Sequence, residues 1–122
     1  MVCLHCSVVP SHLESVITNN GNRCQYADYN DNDVMVVKFK GEYPFHKHET
    51  TDDFFYVLEG EMIMDIEGKP SQVVRAGELF VVPKGVVHRP RAETEVKVLL
   101  IEPKGEPNSG DSEREPAPKP RI

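Results

Sequence analysis

The sequence predicts an all-β fold, a sandwich or small barrel, on three observations. Short runs rich in valine, isoleucine and aromatic residues recur, broken by turn signals every 8–12 residues or so. No helix-length apolar period separates those runs, which argues against a parallel βαβ sheet. The chain has 122 residues, enough to enclose one such core but not two.

The elements follow in chain order. Ser11 and Glu14 have capping-box spacing, so a short helical turn is expected around residues 11–18, ended by Asn19-Asn20-Gly21. Residues 26–33, rich in acids and amides, read as a turn between two strands. Valine-rich residues 34–40 read as a strand. Residues 54–58 and 61–66 flank Glu59-Gly60 and read as a hairpin. Glu67-Gly68-Lys69-Pro70 is the next turn, residues 71–75 a short strand, and Ala76-Gly77 another turn. Residues 79–82 form a strand halted by Pro83-Lys84-Gly85, and residues 96–101 the last clear strand. Residues 1–33 thus read as a helix and strand extension, 34–105 as the barrel, and 106–122 as a Pro- and charge-rich tail expected to be disordered.

The formal net charge is −6. In the tail Lys104, Arg114, Lys119 and Arg121 balance Glu106, Asp111, Glu113 and Glu115, so the acidity resides in the folded body. An acidic body repels phosphate backbones and anionic lipid, which makes nucleic acid and membrane poor partners. No apolar run is long enough to cross a bilayer as a helix, and Met1-Val2-Cys3-Leu4-His5-Cys6 lacks the pattern of a secretory signal. A cytoplasmic protein is expected. Its three cysteines, Cys3, Cys6 and Cys24, are an odd number and suggest reduced thiols rather than a disulfide framework. Cys3-x-x-Cys6 could be half of a zinc site, but no second C-x-x-C exists, and terminal thiols are the favoured reading.

The histidines carry the chemical signal. His46-Lys47-His48 places two imidazoles at i and i+2, on one side of an extended chain. Asp53 opens the next strand, with Phe55 and Val57 on its face, so that face points inward. His88 follows the Pro83-x-Gly85 turn, which aims the chain back toward the barrel mouth. Three imidazoles and one carboxylate in a half-dry site suit Mn, Fe, Co, Ni, Cu or Zn. Met62 and Met64 read as core. Phe54, Tyr56 and Leu58 face away from the ligand side and suit core packing or a homodimer interface. Tyr43, Phe45, Arg75, Arg89 and Arg91 are candidates for the mouth, where arginines could clamp an anion, although solvated arginines are the commoner finding.

Two segments resemble the paired motifs of the cupins, Gly41-x4-His46-x-His48-x4-Asp53-x6-Gly60 and Gly77-x5-Pro83-x-Gly85-x2-His88. The resemblance spans residues 34–102, and the ending from Leu100 to Asp111 is similar to small cupins, some labelled mannose-6-phosphate isomerase-like on the strength of the fold. It implies an antiparallel double-stranded β-helix, a jelly-roll barrel. It also implies one divalent transition metal on His46, His48, Asp53 and His88. The chain departs from the usual pattern in three places: the gap from Gly41 to His46 is one residue shorter, Asp53 stands where glutamate is usual, and Ala92 stands where asparagine often closes the second motif. Aspartate is one methylene shorter, so the three histidines are expected to hold the metal more strongly than Asp53 does.

Cupins include isomerases, dioxygenases, decarboxylases, lyases and non-catalytic binders, so the fold does not choose the reaction. The expectation is a metal-dependent enzyme acting on a small oxygenated substrate, with a non-catalytic metal-dependent binding or sensing module as the alternative. Glu49 and Glu59 are weak candidates for a general base.

Overall fold

The computed structural model describes residues 22–106. The expected helical turn, the cysteine pair and the tail beyond Glu106 lie outside the described residues. Seven strands form in order: β1 Asn22–Tyr29, β2 Asn32–Glu42, β3 Asp53–Glu59, β4 Glu61–Ile66, β5 Gln72–Arg75, β6 Leu79–Val82 and β7 His88–Pro103. Every pairing among them is antiparallel. The all-β antiparallel expectation therefore holds for the described residues.

The strand order is β1-β2-β7-β3-β6, with β4 pairing β5 and β7. β7 is the axis of this arrangement. Its first part, from His88 to Arg91, pairs with β4, its second part with β3, and β2 runs beside it from Arg91 to Pro103. A shift in register separates the two parts: Phe39 faces Val96 while Gly41 faces Ala92, so extra residues bulge on β7. Bulges bend strands, and this one lets a single strand serve both layers.

Burial alternates as a sheet with one covered face requires. In β3, Asp53, Phe55 and Val57 are buried while Phe54, Tyr56 and Leu58 are half-buried on the other face. The core joins Met35, Val37 and Phe39 of β2 to Phe55, Val57, Met62, Met64, Val96, Val98 and Leu100. Met62 and Met64 are fully buried.

Three local readings are corrected. The first turn is confined to Asn30 and Asp31, and residues 26–29 belong to β1. Asn30 takes φ +54, a conformation asparagine tolerates, and Asn32 Nδ2 donates to Tyr29 O. Strands β3 and β4 are not a hairpin: β3 pairs with β6 and β7, and β4 with β5 and β7. Gly60 instead turns a corner between layers at φ +88, where a Cβ would sit 2.9 Å from Glu95 O. Finally, β7 starts at His88 rather than near residue 96, because its polar first half is held by β4 rather than by apolar composition.

Candidate metal centre

The site is built where an extended segment between β2 and β3 is stitched onto the start of β7. His46 and His88 exchange backbone hydrogen bonds, His46 N to His88 O at 3.0 Å and His88 N to His46 O at 2.9 Å. Gly85 N donates to His48 O at 2.8 Å, so the turn at Pro83 and Gly85 registers His88 against the His46-x-His48 pair. Asp53, the first residue of β3, points into the same space.

His46, His48, Asp53 and His88 are all buried, at 3%, 3%, 4% and 1% exposure, and each offers a ligand atom within 4.8 Å of the others. The structure thus brings together all four residues named from the sequence.

Each ring is anchored through Nδ1. His46 Nδ1 donates to Pro44 O at 2.7 Å, His88 Nδ1 to Val86 O at 2.9 Å, and His48 Nδ1 to Glu106 Oε2 at 2.8 Å. With Nδ1 so engaged, Nε2 of each ring is left to face the interior. Nε2 of His46 and of His48 are buried without a hydrogen-bond partner. Buried polar atoms without a hydrogen bond are costly, and two imidazole nitrogens so placed beside a carboxylate suit a cation.

Asp53 reaches this point despite its shorter side chain. Its Oδ2 lies 2.9 Å from His88 Nε2, a hydrogen bond, and 3.2 Å from His48 Nε2, an ion-pair distance outside hydrogen-bond alignment. Cis ligands bonded at about 2.1 Å to an octahedral ion stand about 3.0 Å apart. The donor set and its spacing therefore fit a divalent transition metal.

The titration behaviour follows from crowding and charge. Burial disfavours the charged form of His46 and lowers its pKa, helped by the neighbouring His88 and His48. Burial acts the same way on His48, but Asp53 and Glu106 outweigh it and raise its pKa to about 9. Asp53 is also desolvated, which alone would raise its pKa; His48 and His88 reverse that and lower it.

A small apolar cavity adjoins the cluster. It holds about 20 Å³, room for one water, and is lined by His46, Asp53, Tyr43, Phe39, Phe55, Leu100 and Glu102 among others. Glu102 is 2% exposed and near enough to help raise the His48 pKa. Sequence reasoning missed both Glu102 and Glu106. Glu102 sits at an inward position near the end of β7, and the alternation of that strand was a usable signal. Glu106 carried none, lying in a Pro- and Gly-rich stretch.

Other candidates lie elsewhere. Glu49 pairs with Lys47 at 3.0 Å and does not join the ligands. Glu59 binds Lys97 at 2.8 Å. Arg89 and Arg91 do not line the cavity with Tyr43. Both grip Asp65 Oδ2, at 2.9 and 2.8 Å, in a separate crevice on β4 and β7, and Arg89 also lies 4.5 Å over the Phe45 ring. Arg75 is exposed beside Glu61.

An antiparallel β fold whose buried three-histidine, one-carboxylate cluster is set by a stitched strand start defines a β-barrel class with a candidate metal centre. The chain belongs to the cupins: the cupin domain matches residues 33–102. It is similar to the uncharacterized protein YdbB of Bacillus subtilis, at 38% identity over 64% of this chain and 69% of that protein. It is also similar to 3-hydroxyanthranilate 3,4-dioxygenase of Xanthomonas euvesicatoria, at 32% identity over 75% of this chain. That match spans 52% of the dioxygenase, so the chain covers about half of that relative's length. Among solved structures, a cupin-2 domain protein from Shewanella frigidimarina superposes with a TM-score of 0.75 and 34% identity, covering 80% of this chain and 95% of that one.

Proposed function

We propose that the chain holds one divalent transition metal on Nε2 of His46, His48 and His88 and on the Asp53 carboxylate, and acts as a metal-dependent enzyme on a small oxygenated substrate. The observation that carries this reading is the common tethering of the three rings through Nδ1, which leaves their Nε2 atoms and Asp53 Oδ2 around one buried point. A metal bound there would supply a Lewis acid for adjacent oxygens of a substrate. The remaining work belongs to this chain. Phe39, Phe55 and Leu100 give the cavity apolar walls, and Asp53 keeps a negative charge beside the imidazoles. Glu102, the further carboxylate on the cavity wall, stands to take a proton from the substrate and return it.

Among reaction types, similarity to a dioxygenase supports testing oxygen-dependent chemistry first. The second reading is a metal-dependent binding module without turnover. Elemental analysis followed by oxygen uptake with 3-hydroxyanthranilate as first probe separates them. Metal with oxygen consumption supports the dioxygenase type, and turnover without oxygen the isomerase or lyase type. Tight binding without turnover supports the module, and absence of metal affinity ends the whole reading. We also propose a homodimer joined through the face carrying Phe54, Tyr56 and Leu58; sedimentation showing only monomer at high micromolar concentration would refute it.

A further inference from the structure

The three imidazoles of the centre are not held alike. His46 and His88 each give the Nδ1 proton to a backbone carbonyl two residues earlier. Those acceptors come with the local chain path and survive any side-chain change. His48 instead gives its proton to a carboxylate 58 residues further along, Glu106 Oε2 at 2.8 Å.

The turn that delivers Glu106 is itself fixed. Lys104 Nζ reaches Asp28 Oδ1 at 2.6 Å and Asp33 Oδ1 at 3.2 Å, and Lys104 N donates to Asp31 O at 3.0 Å. Gly105 then takes φ +85, a left-handed conformation that glycine adopts without strain. Glu106 N closes the turn on Pro103 O at 3.2 Å. The chain is thus bent off the line of β7 and toward His48, whose side chain is 2% exposed against 20% for that of Glu106.

We propose that Glu106 is a positioning residue of the metal centre, fixing the plane and tautomer of the His48 ring and strengthening it as a donor. This rests on the metal reading above. A carboxylate behind a ligand imidazole holds the ring and raises its basicity, and such partners typically contribute about 10–100-fold in metal affinity. Glu106 and Asp53 together also supply two negative charges to balance a divalent ion, where backbone acceptors supply none. The segment after β7 therefore belongs to the centre and not only to the chain's exit from the barrel.

The test compares the full chain with Glu106→Ala, Glu106→Gln and the surface control Glu49→Gln. Co(II) affinity is measured by competition with a chromophoric chelator, together with the visible spectrum of bound Co(II) and the melting temperature of the metal-free protein. Glu106→Ala is expected to lose about 10–100-fold in Co(II) affinity and to shift the spectrum. Glu106→Gln keeps an acceptor oxygen and should recover part of both, while Glu49→Gln matches the wild type. A wild type that binds Co(II) and a Glu106→Ala variant with the same affinity and spectrum would overturn the proposal alone. A lower melting temperature with unchanged affinity and spectrum would overturn it too, leaving Glu106 a fold-holding role. A wild type that does not bind Co(II) would overturn the metal reading and this proposal together.

Discussion

Metal binding should expel one proton near neutral pH, and His48 is its source. In the metal-free protein its pKa is raised to about 9, because Asp53 at 3.2 Å and Glu106 at 2.8 Å favour the imidazolium over the effect of burial. A ligand imidazole must give up the Nε2 proton. At pH 7 only about 1% of His48 would be neutral, so the apparent affinity should sit about 100-fold below its high-pH limit, or roughly 2.7 kcal/mol. His46 is shifted the other way and Asp53 is lowered, so neither adds a proton at that pH. Affinity should therefore rise about tenfold per pH unit between pH 7 and 8.5. Calorimetric titration in buffers of different ionisation enthalpy counts the protons directly. Asp53→Asn removes the more deeply buried of the two charges and should cut the release, even as it weakens binding. Release of fewer than about 0.3 protons at pH 7, or an affinity flat across that range, would refute the reasoning.

Alanine at His46, His48 or His88 should cost more metal affinity than Asp53→Ala, since each ring is pre-tethered through Nδ1; equal losses on titration of the four variants would make the carboxylate a full equal. Asp65, whose pKa is lowered to about 2 as Arg91, Ser71 and Arg89 outweigh its desolvation, contributes stability that is complete above about pH 4 and lost as pH falls through about 2. Its arginine partners are 26–27% exposed, so screening reduces the contribution to about 1 kcal/mol, and Asp65→Asn should flatten the acid limb of urea-measured stability. Gly60→Ala should destabilise by about 1–3 kcal/mol in thermal unfolding, because φ +88 and the 2.9 Å approach to Glu95 O both oppose a side chain.

What could be read in advance was whatever local chemistry decides. The alternation of Asp53, Phe55 and Val57 fixed which face of β3 points inward, and the i, i+2 spacing fixed the common side of His46 and His48. The Pro83-x-Gly85 turn announced the arrival of His88. What escaped was decided at long range. Glu59-Gly60 has the local look of a hairpin turn, yet its flanking strands separate because β7 offers each a partner. The polar start of β7, with Arg89, Arg91 and Glu93, has no strand signature until β4 pairs with it. Glu106 lies in a segment whose composition reads as solvent-loving, and only the turn at Gly105 brings its carboxylate onto His48.

The double duty of β7 also sets the order in which the centre comes into being. His88 opens this strand, Glu102 lies near its end and Glu106 just beyond, while His46, His48 and Asp53 come much earlier in the chain. Before β7 docks, Asp53 can pair with β6 and His48 can take its bond from Gly85, but His46 lacks both of its backbone hydrogen bonds to His88. Pairings so distant in sequence form late. A metal ion meeting the chain early finds a loose two-histidine chelate, and the tight pocket arises with the closing of the barrel itself. A metal held by these residues would meet its full ligand set only once this last strand has docked, so a bound ion should slow unfolding chiefly by resisting the release of that strand.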